Sequence, residues 1–554
     1  MSSINVFKTE IANNVFYLKF AFGHSDTWDN LSRRVVADVC GRGSAGTLQP
    51  LLSTSEQDEL YNYISTMRFI PGGRYLYYAG RDLHAFNNCF LLKAEEDTRE
   101  EWSNLIWRAN SCLMLGGGIG VDYSVVRPRG RTLKRTGGLS SGPIPLMQMI
   151  NEIGRNVMQG GSRRSAIYAS LNWQHEDIED FLTLKNWHDI PVATGVSLSD
   201  VRNSNPDFPA PMDTSNISVN YDDDWLNDKD RHLNPLFLDN CRQALHTGEP
   251  GFSFNFGDKS NETLRNACTE VTSADDSDVC NLGSVNMGAI ETLEEFTDIV
   301  RLGSKFLVCG TVRADLPYDK VREVRESNRR LGLGLMGIHE WLLKRGSGYE
   351  VTKELHKWLE VYRDESVKAA DEHCERLYLS KPCAYRAIAP TGTISTIAST
   401  SSGIEPLFSV AFKRRYLVKG SKWHYEYVID PRAELMINEL GVKEDDIETS
   451  YSLAENYEKR IKFQADIQDY VDMGISSTIN IKNPKQISEG KIQGFAETLS
   501  KYAPRLRGLT VYPDGSRGGQ PLTEIPYEDA IKHKGVVYEE VDVCDLTGKG
   551  GSCG

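Results

Sequence analysis

Within "LRNACTEVTSADDSDVCNLGS" (264–284), an amide, a thiol and a carboxylate recur at every second position: Asn266, Cys268 and Glu270. In an extended segment, residues two apart project to one side, so all three groups would face the same space. That arrangement suits a reaction on a polyhydroxylated substrate, with Glu270 as general base, Asn266 orienting a hydroxyl and Cys268 as the reactive centre. Cys280 follows at what reads as the start of a small polar turn, and Cys89 follows "FNN" and opens an apolar run. A buried, inert thiol is the ordinary reading of any one of these cysteines. A static disulfide or half of a metal site are the remaining alternatives. No C-x-x-C or H-E-x-x-H occurs and the histidines are scattered, which argues against structural zinc. A lone histidine such as His339 reads as structural.

Other stretches offer contacts for a ligand. "APTGTISTIASTSSGIEP" (389–406) alternates hydroxyl side chains with glycine but lacks the G-x-x-x-x-G-K-[ST] pattern of a P-loop. A hydroxyl-rich turn opening a helix can hold phosphate through its side chains and the free N–H groups of the helix start. A plain capped helix start is the equal alternative. Basic residues concentrate in "RPRGRTLKR" (127–135) and "GGSRRS" (160–165), both beside glycine-rich turns. Such runs are ordinarily solvated faces, but in an acidic chain two of them beside backbone turns point to a nucleotide-phosphate site. "YDDDWLNDKDRH" (221–232) reads as a solvated acidic loop. "LGLGLMG" contains Gly332-x-Gly334-x-x-Gly337, the spacing of a dinucleotide fingerprint. A charged, helix-patterned stretch precedes it where that fold requires an apolar strand, so the glycines are assigned to close packing of a helix.

These groups need a large scaffold. The chain has 554 residues, 40% hydrophobic and 25% charged, enough for a large barrel or two to three domains of globular composition. Its formal net charge of −14 argues against a dedicated nucleic-acid binder. No apolar run approaches the roughly 18–20 residues of a membrane span, and "MSSINVFKTEIANN" lacks the regions of a signal peptide. A cytoplasmic, reducing setting is expected, in which the eleven cysteines are mostly free and any disulfide is catalytic. Residues 1–85 read as a helical region, amphipathic near 28–40 and 55–68. Beyond it, strand candidates at "CFLLKA" (89–94), "SAIYASL" (165–171), "SSTINI" (476–481) and "RGLTVY" (507–512) alternate with helix candidates at 98–115 and 144–159. This alternation predicts an α/β architecture with a mostly parallel sheet, open or closed into a barrel. The last residues, "DLTGKGGSCG", read as a mobile tail.

Taken in order, "PGGRYLYYAGRD", "FNNC", "GGGIGVDYSVVRPRG", "TGGLSSGPIPLM", "QGGSRRSA", "GEPGFSF", "NACTE", "VCNLGS", "NRRLGLGLMG", "PTGTIST", "SSGIEP", "SSTINI" and "GLTVYPDGS" resemble the motif series of ribonucleotide reductase catalytic subunits. The likeness is strongest to the adenosylcobalamin-dependent class and runs from about residue 69 to 525. It implies a ten-stranded α/β barrel over 86–530 with a central finger loop, preceded by the small helical region 1–85 and followed by a flexible redox tail, 531–554. On this resemblance Cys268 takes the thiyl-radical position and would abstract the substrate's 3′-hydrogen. Glu270 would take the 3′-hydroxyl proton as the 2′-hydroxyl leaves, with Asn266 fixing the ribose. Cys89 and Cys280 match the pair that delivers electrons and ends as a disulfide. A closed barrel would shield such a radical from water. Asn88 falls near the ribose, and Pro390, Thr391, Gly392, Thr393, Ile394 and Ser395 match the substrate phosphate site. Asp97, Thr98, Arg127 and Arg135 match effector-binding positions, and "GGSRRSAIYAS" the loop that reports effector identity to the substrate base. Cys544 and Cys553 resemble the mobile pair that re-reduces the active-site disulfide, at wider spacing. "NACTE" departs from the family pattern, with Ala267 and Thr269 where proline and glycine are usual.

The resemblance implies reduction of ribonucleotides to 2′-deoxyribonucleotides for DNA synthesis, by thiyl-radical chemistry with a cysteine pair as reductant. The expected cofactor is adenosylcobalamin. Class I relatives carry two adjacent tyrosines near the end of the barrel, whereas here Val511 precedes the single Tyr512, and "GGSCG" is a poor glycyl-radical motif. Expected partners are a ribonucleotide, a deoxynucleoside triphosphate specificity effector and thioredoxin or glutaredoxin. A homodimer is expected, because residues 116–138 run through without the insertion of the family's monomeric members. No membrane partner, nucleic-acid partner or metal ligand is expected, nor on/off control by ATP and dATP, since the chain begins close to the barrel. The rival readings are the same reaction fed by a separate radical-generating subunit, and a non-catalytic nucleotide-binding regulatory protein with structural cysteines.

Overall fold

The computed structural model describes residues 6–41, 49–157, 165–205, 208–418, 422–439, 441–482, 484–514, 522–534 and 536–539. Three helices, Glu10–Lys19, Trp28–Val39 and Thr54–Ser65, open the chain. Each starts at a hydroxyl residue (Thr9, Thr27, Ser53) whose side chain accepts a first-turn N–H, satisfying a donor the helix itself leaves orphaned. The second helix buries Trp28, Leu31, Val35 and Val39 on one face. That face has no core of its own: it is continuous with apolar residues of 285–475.

Nine strands carry the fold: β1 (Cys89–Lys93), β2 (Gly118–Asp122), β3 (Ile167–Asn172), β4 (Ser215–Tyr221), β5 (Gly251–Phe254), β6 (Asp278–Asn286), β7 (Leu331–Met336), β8 (Thr478–Ile481) and β9 (Gly508–Pro513). With the short strand Phe69–Pro71, which pairs with β6, they make one ten-stranded sheet. β1 to β5 are parallel neighbours in chain order. β6 runs parallel to β7, and β8 to β9. The two halves meet antiparallel, β5 against β9 and β1 against β6. Segment 384–388 closes the ring between β7 and β8, through parallel bridges Leu333–Arg386 and Ile388–Ile475. Helices including Arg99–Leu115, Pro143–Asn156, Leu293–Arg313 and Lys353–Arg376 intervene between strands, as parallel crossovers require. The architecture is the expected α/β barrel.

The ring encloses a segment of backbone as well as side chains. Leu264–Arg265 and Thr272–Ser273 pair antiparallel and carry residues 266–271 as a finger. Where it passes, the wall has no room for a side chain. A Cβ on Gly120 would lie 1.6 Å from the Arg265 carbonyl oxygen, and one on Gly474 2.5 Å from that of Thr269. The finger's own peptide groups are bonded, as burial demands. Val271 N–H donates to Asn266 Oδ1 (2.9 Å), Gly474 N–H to Glu270 O (2.7 Å) and Asn216 Nδ2 to Ala267 O (2.9 Å).

Several expectations change. "DVCNLGS" forms a fully buried strand, β6, where a polar turn was expected. Its Asn281 is paid for inside the protein, donating from Nδ2 to Tyr75 OH (2.6 Å) and Leu307 O (2.9 Å). Gly332 and Gly334 lie in strand β7 and not in a helix; a Cβ on Gly332 would come within 2.3 Å of Leu282 Cδ2. The stretch before them is the helix Asp319–Asn328, as its pattern indicates. In the acidic segment 221–232, Asp222 caps the short helix Asp223–Asn227, and Trp225 is buried against Tyr221 and Phe237. A four-stranded antiparallel sheet, Ala411–Val418, Lys422–Ile429, Leu522–Glu524 and Val537–Glu539, was not anticipated. With the helix Tyr527–His533 it draws the first part of the expected tail into regular structure. Cys544, Cys553 and all of "GGSRRS" except its last serine lie outside the described residues. Among the described residues no helix is long and apolar enough to cross a membrane.

Replacing Gly120 by alanine should lower stability by about 2 kcal/mol or more, because the Arg265 carbonyl cannot retreat without dragging the finger. Gly490→Ala, on an open helix face, should change it little. Urea unfolding of both variants measures the difference, and equal midpoints would contradict the close passage of finger and wall.

Candidate active site

The finger delivers its side chains to a cavity of about 510 Å³ bordered by Asn88, Cys89, Asn266, Cys268, Glu270 and the 389–394 turn. The three groups do not converge along an extended segment, as their spacing suggested. Thr269 N–H donates to Asn266 O (3.0 Å), closing a turn in which Thr269 has φ +69°. That left-handed backbone favours glycine, the residue usual at this position in the family that the motifs resemble; threonine holds it here at a steric cost. The turn leaves the Cys268 thiol exposed at its tip while Asn266 and Glu270 are buried on either side.

Cys89 and Cys280 stand directly opposite each other in the antiparallel seam between β1 and β6. Both are free and buried. Asn266 Nδ2 lies 3.0 Å from Cys89 Sγ, and that thiol points at Glu270 Oε1 at 4.0 Å. Burial, then the nearby Glu270 carboxylate, push the Cys89 thiol well up; burial, then Asp278, do the same to Cys280. Both therefore keep their protons at neutral pH. Burial also pushes Glu270 up to about 7, against the hydrogen bond from Asn266 that favours its charged form. Its Oε2, like Asn88 Oδ1, has no hydrogen-bond partner among the described residues. The site thus holds two stored hydrogens, an exposed thiol and a carboxyl poised near neutrality.

The hydroxyl turn opens the helix Gly392–Ala398. Thr391 has φ +53° and does not cap the helix with its side chain; its Oγ1 accepts from Gly403 N–H (2.9 Å). Pro390, Thr391, Gly392, Thr393 and Ile394 line the cavity, whereas Ser395 is buried away from it, 2.7 Å from Ser402 Oγ. Two cations went unnoticed in the sequence. Lys19, whose Nζ lies 3.5 Å from Thr393 Oγ1, and Arg74 both line the cavity, in which Glu270 is the lone carboxylate. Arg74 lies in the motif "PGGR"; Lys19 ends an ordinary amphipathic helix, where a cation needs no special reason.

Residues 87–196, 197–369 and 383–499 match the family described as "Ribonucleotide reductase, barrel domain". The chain belongs to the ribonucleotide reductase family. It is 25% identical over 563 residues to the vitamin B12-dependent ribonucleoside-diphosphate reductase of Mycobacterium tuberculosis strain CDC 1551 / Oshkosh, a match covering 87% of this chain and 76% of that one. It is 26% identical over 504 residues to the putative adenosylcobalamin-dependent ribonucleoside-triphosphate reductase of Mycobacterium phage D29, covering 74% and 67%. The solved Actinobacillus ureae class Id ribonucleotide reductase alpha subunit shares the fold, with a TM-score of 0.70 over 92% of this chain and 97% of that one at 18% identity.

In this ribonucleotide reductase the expected effector residues also meet, away from the cavity lining. Asp97 binds Arg127, through the guanidinium and the backbone N–H (3.1 Å), and accepts from Trp102 Nε1 (3.0 Å). Thr98 caps the helix Arg99–Leu115 by accepting Glu101 N–H (3.2 Å). Arg135 is exposed on the following loop. Arg127, Arg129 and Arg131 pair with Asp97, Asp180 and Glu176, so much of the basic run is already neutralised. His339 is structural as read: its Nδ1 accepts from Leu407 N–H (2.9 Å), and burial pushes the imidazole down to about 3. Among the described residues no three His, Cys, Asp or Glu side chains are grouped to hold a metal.

Because the Glu270 carboxyl titrates higher in the folded chain than its ordinary value of 4.5, its proton favours folding. That contribution is complete below about pH 4.5 and lost as pH rises through about 7. Glu270→Gln should therefore gain about 3 kcal/mol on the parent protein between about pH 4.5 and about pH 8. Urea unfolding at the two pH values tests this, and a pH-independent difference would show the carboxyl to be unperturbed.

Proposed function

We propose that this chain reduces ribonucleotides to 2′-deoxyribonucleotides in the finger cavity, with Cys268 as the radical-bearing thiol and Cys89 and Cys280 as the reductant. The observation that carries the reading is the register of the β1–β6 seam, which sets two buried thiols face to face beside the finger. Opposite residues of an antiparallel ladder have Cα atoms about 4.5–5.5 Å apart, inside the range of about 4.4–6.8 Å that a disulfide spans. The pair can close without moving the strands.

Lys19, Arg74 and the hydroxyl turn supply positive charge and donors for a nucleotide phosphate, which a chain of net charge −14 lacks elsewhere in the cavity's surroundings to offer an anion. Asn88 and Asn266 orient the ribose. The thiol of Cys268 gains the 3′-hydrogen as that C–H bond breaks, and returns it at the end. Glu270, close to neutrality, takes the 3′-hydroxyl proton. The 2′-hydroxyl leaves as water, using protons from Cys89 and Cys280. Two electrons pass to the sugar as the two thiols become one disulfide, so nucleotide plus two thiols gives deoxynucleotide, disulfide and water.

Adenosylcobalamin fits as the radical source. The exposed Cys268 thiol shares its cavity with the exposed Leu18 and with Phe20 and Tyr77, apolar surface that would hold a large planar cofactor. When bound, the cofactor supplies a radical that takes the Cys268 hydrogen. Within the same reading, Asp97, Thr98, Arg127 and Arg135 receive a deoxynucleoside triphosphate specificity effector, a thioredoxin-type protein re-reduces the disulfide, and two copies pair.

Purified chain, ribonucleotide, dithiothreitol and adenosylcobalamin should form deoxyribonucleotide with no second protein. Cys268→Ser should lower turnover at least about 10³-fold. Product that appears only with a separate radical-generating subunit would replace the cofactor assignment. Nucleotide binding with no turnover under any condition would favour a regulatory protein instead.

A further inference from the structure

A second cavity, of about 230 Å³, opens at the other mouth of the barrel. Its walls include Phe254, at the end of β5, and Arg507, just before β9. The active-site cavity instead meets Cys89 and Gly118, the first residues of β1 and β2. Strands β1 to β5 are parallel, so the two cavities lie at opposite ends.

Two buried side chains on this second cavity have polar atoms with no use inside the protein. Arg507 is 8% exposed. Its Nη2 donates to Glu262 Oε2 (3.0 Å), but its Nε and Nη1 have no partner among the described residues. Gln468 is 6% exposed. Its Nε2 donates to Val471 O (2.9 Å) and Met473 O (2.7 Å), which fixes the orientation of the amide and leaves Oε1 without a donor. A buried N–H or C=O left unmade is costly, so each marks a place for a ligand atom.

The local charge is positive. Lys259 lines the cavity, with its Nζ on the Asp472 carbonyl, and Arg265 lies fully buried close by. The acids that face this group are mostly committed to other cations: Asp278 to Arg330, Asp472 to Arg386 and Asp469 to Arg505. Glu262 alone serves Arg507. Burial, then Arg507, push both Lys259 and Arg265 below their ordinary values, Arg265 to about 9, the mark of cations short of a counter-charge.

We propose that this cavity binds a phosphate group that carries one proton, its oxygens accepting from Arg507 and Lys259 and its O–H donating to Gln468 Oε1. Sulfate has the same shape and no proton to donate, so the unpaired amide oxygen discriminates against it. Arg507 also holds the root of the finger, through Glu262 and through its own carbonyl, which accepts from Arg265 Nη2 (3.1 Å). A phosphate here therefore braces the finger from the end remote from the chemistry.

Thermal unfolding of the full chain, at ionic strength held constant with chloride, tests the site. Inorganic phosphate should raise the midpoint saturably, with sulfate at least tenfold weaker. Because nucleotide sites also attract phosphate, the decisive comparison is with Lys259→Gln and Arg507→Gln, which should each raise the apparent Kd at least tenfold. If Arg507→Gln does not fold, Lys259→Gln suffices. Ribose 5-phosphate in place of phosphate identifies the source: tighter binding assigns a phosphomonoester, weaker binding the free ion. No saturable rise, a rise unchanged in the variants, or sulfate equal to phosphate overturns the proposal.

Discussion

A closed ring of strands usually fills its interior with side chains; here a length of backbone occupies the centre, and that substitution constrains everything around it. The wall must thin to glycine at 120 and 474, because carbonyl oxygens of the finger stand where a Cβ would be. The finger's peptide groups must find partners inside the barrel, which Asn266, Asn216 and Gly474 provide. Only under those conditions can a thiol be held at a turn tip with its neighbours locked on both sides.

The same burial sets the protonation of the site. Water cannot stabilise a thiolate at Cys89 or Cys280, nor fully stabilise a carboxylate at Glu270, so the thiols stay protonated and the carboxyl sits near neutrality. A reductant pair kept as thiols and a base able to change state at neutral pH follow from one cause, exclusion of solvent by the ring. The cations Lys19 and Arg74 reach the cavity from elements outside the ring, and they make its entrance positive in a strongly acidic chain.

Much of the scaffold was legible. "CFLLKA", "SAIYASL", "SSTINI" and "RGLTVY" are barrel strands and 98–115 and 144–159 are helices, because runs of apolar residues and capped periodic stretches act locally. The misreadings share a reason. "DVCNLGS" and "LGLGLMG" are strands buried on both faces, so neither alternates, and their polar and glycine residues mimic a turn or a helix contact. What makes them strands is the neighbour at each edge, and β6 finds its partners at residues 69–71, 89–91 and 331–336. Lys19 carried no signal, since its nearness to Thr393 depends on how a terminal helix docks.

The sequence alone determined the chemical inventory: which residues carry thiols, which carboxyl flanks one of them, where hydroxyls cluster before a helix, and, through the order of its motifs, which family the chain belongs to. Those are properties of residue type and short spacing. Tertiary structure decided which thiols face each other, that Cys268 is exposed while Cys89 and Cys280 are not, that Ser395 turns away from the cavity and that Lys19 joins it. Pairing register, solvent exclusion and electrostatic environment are sums over residues hundreds of positions apart. No local pattern encodes such sums; they exist only once the ring has closed around the finger.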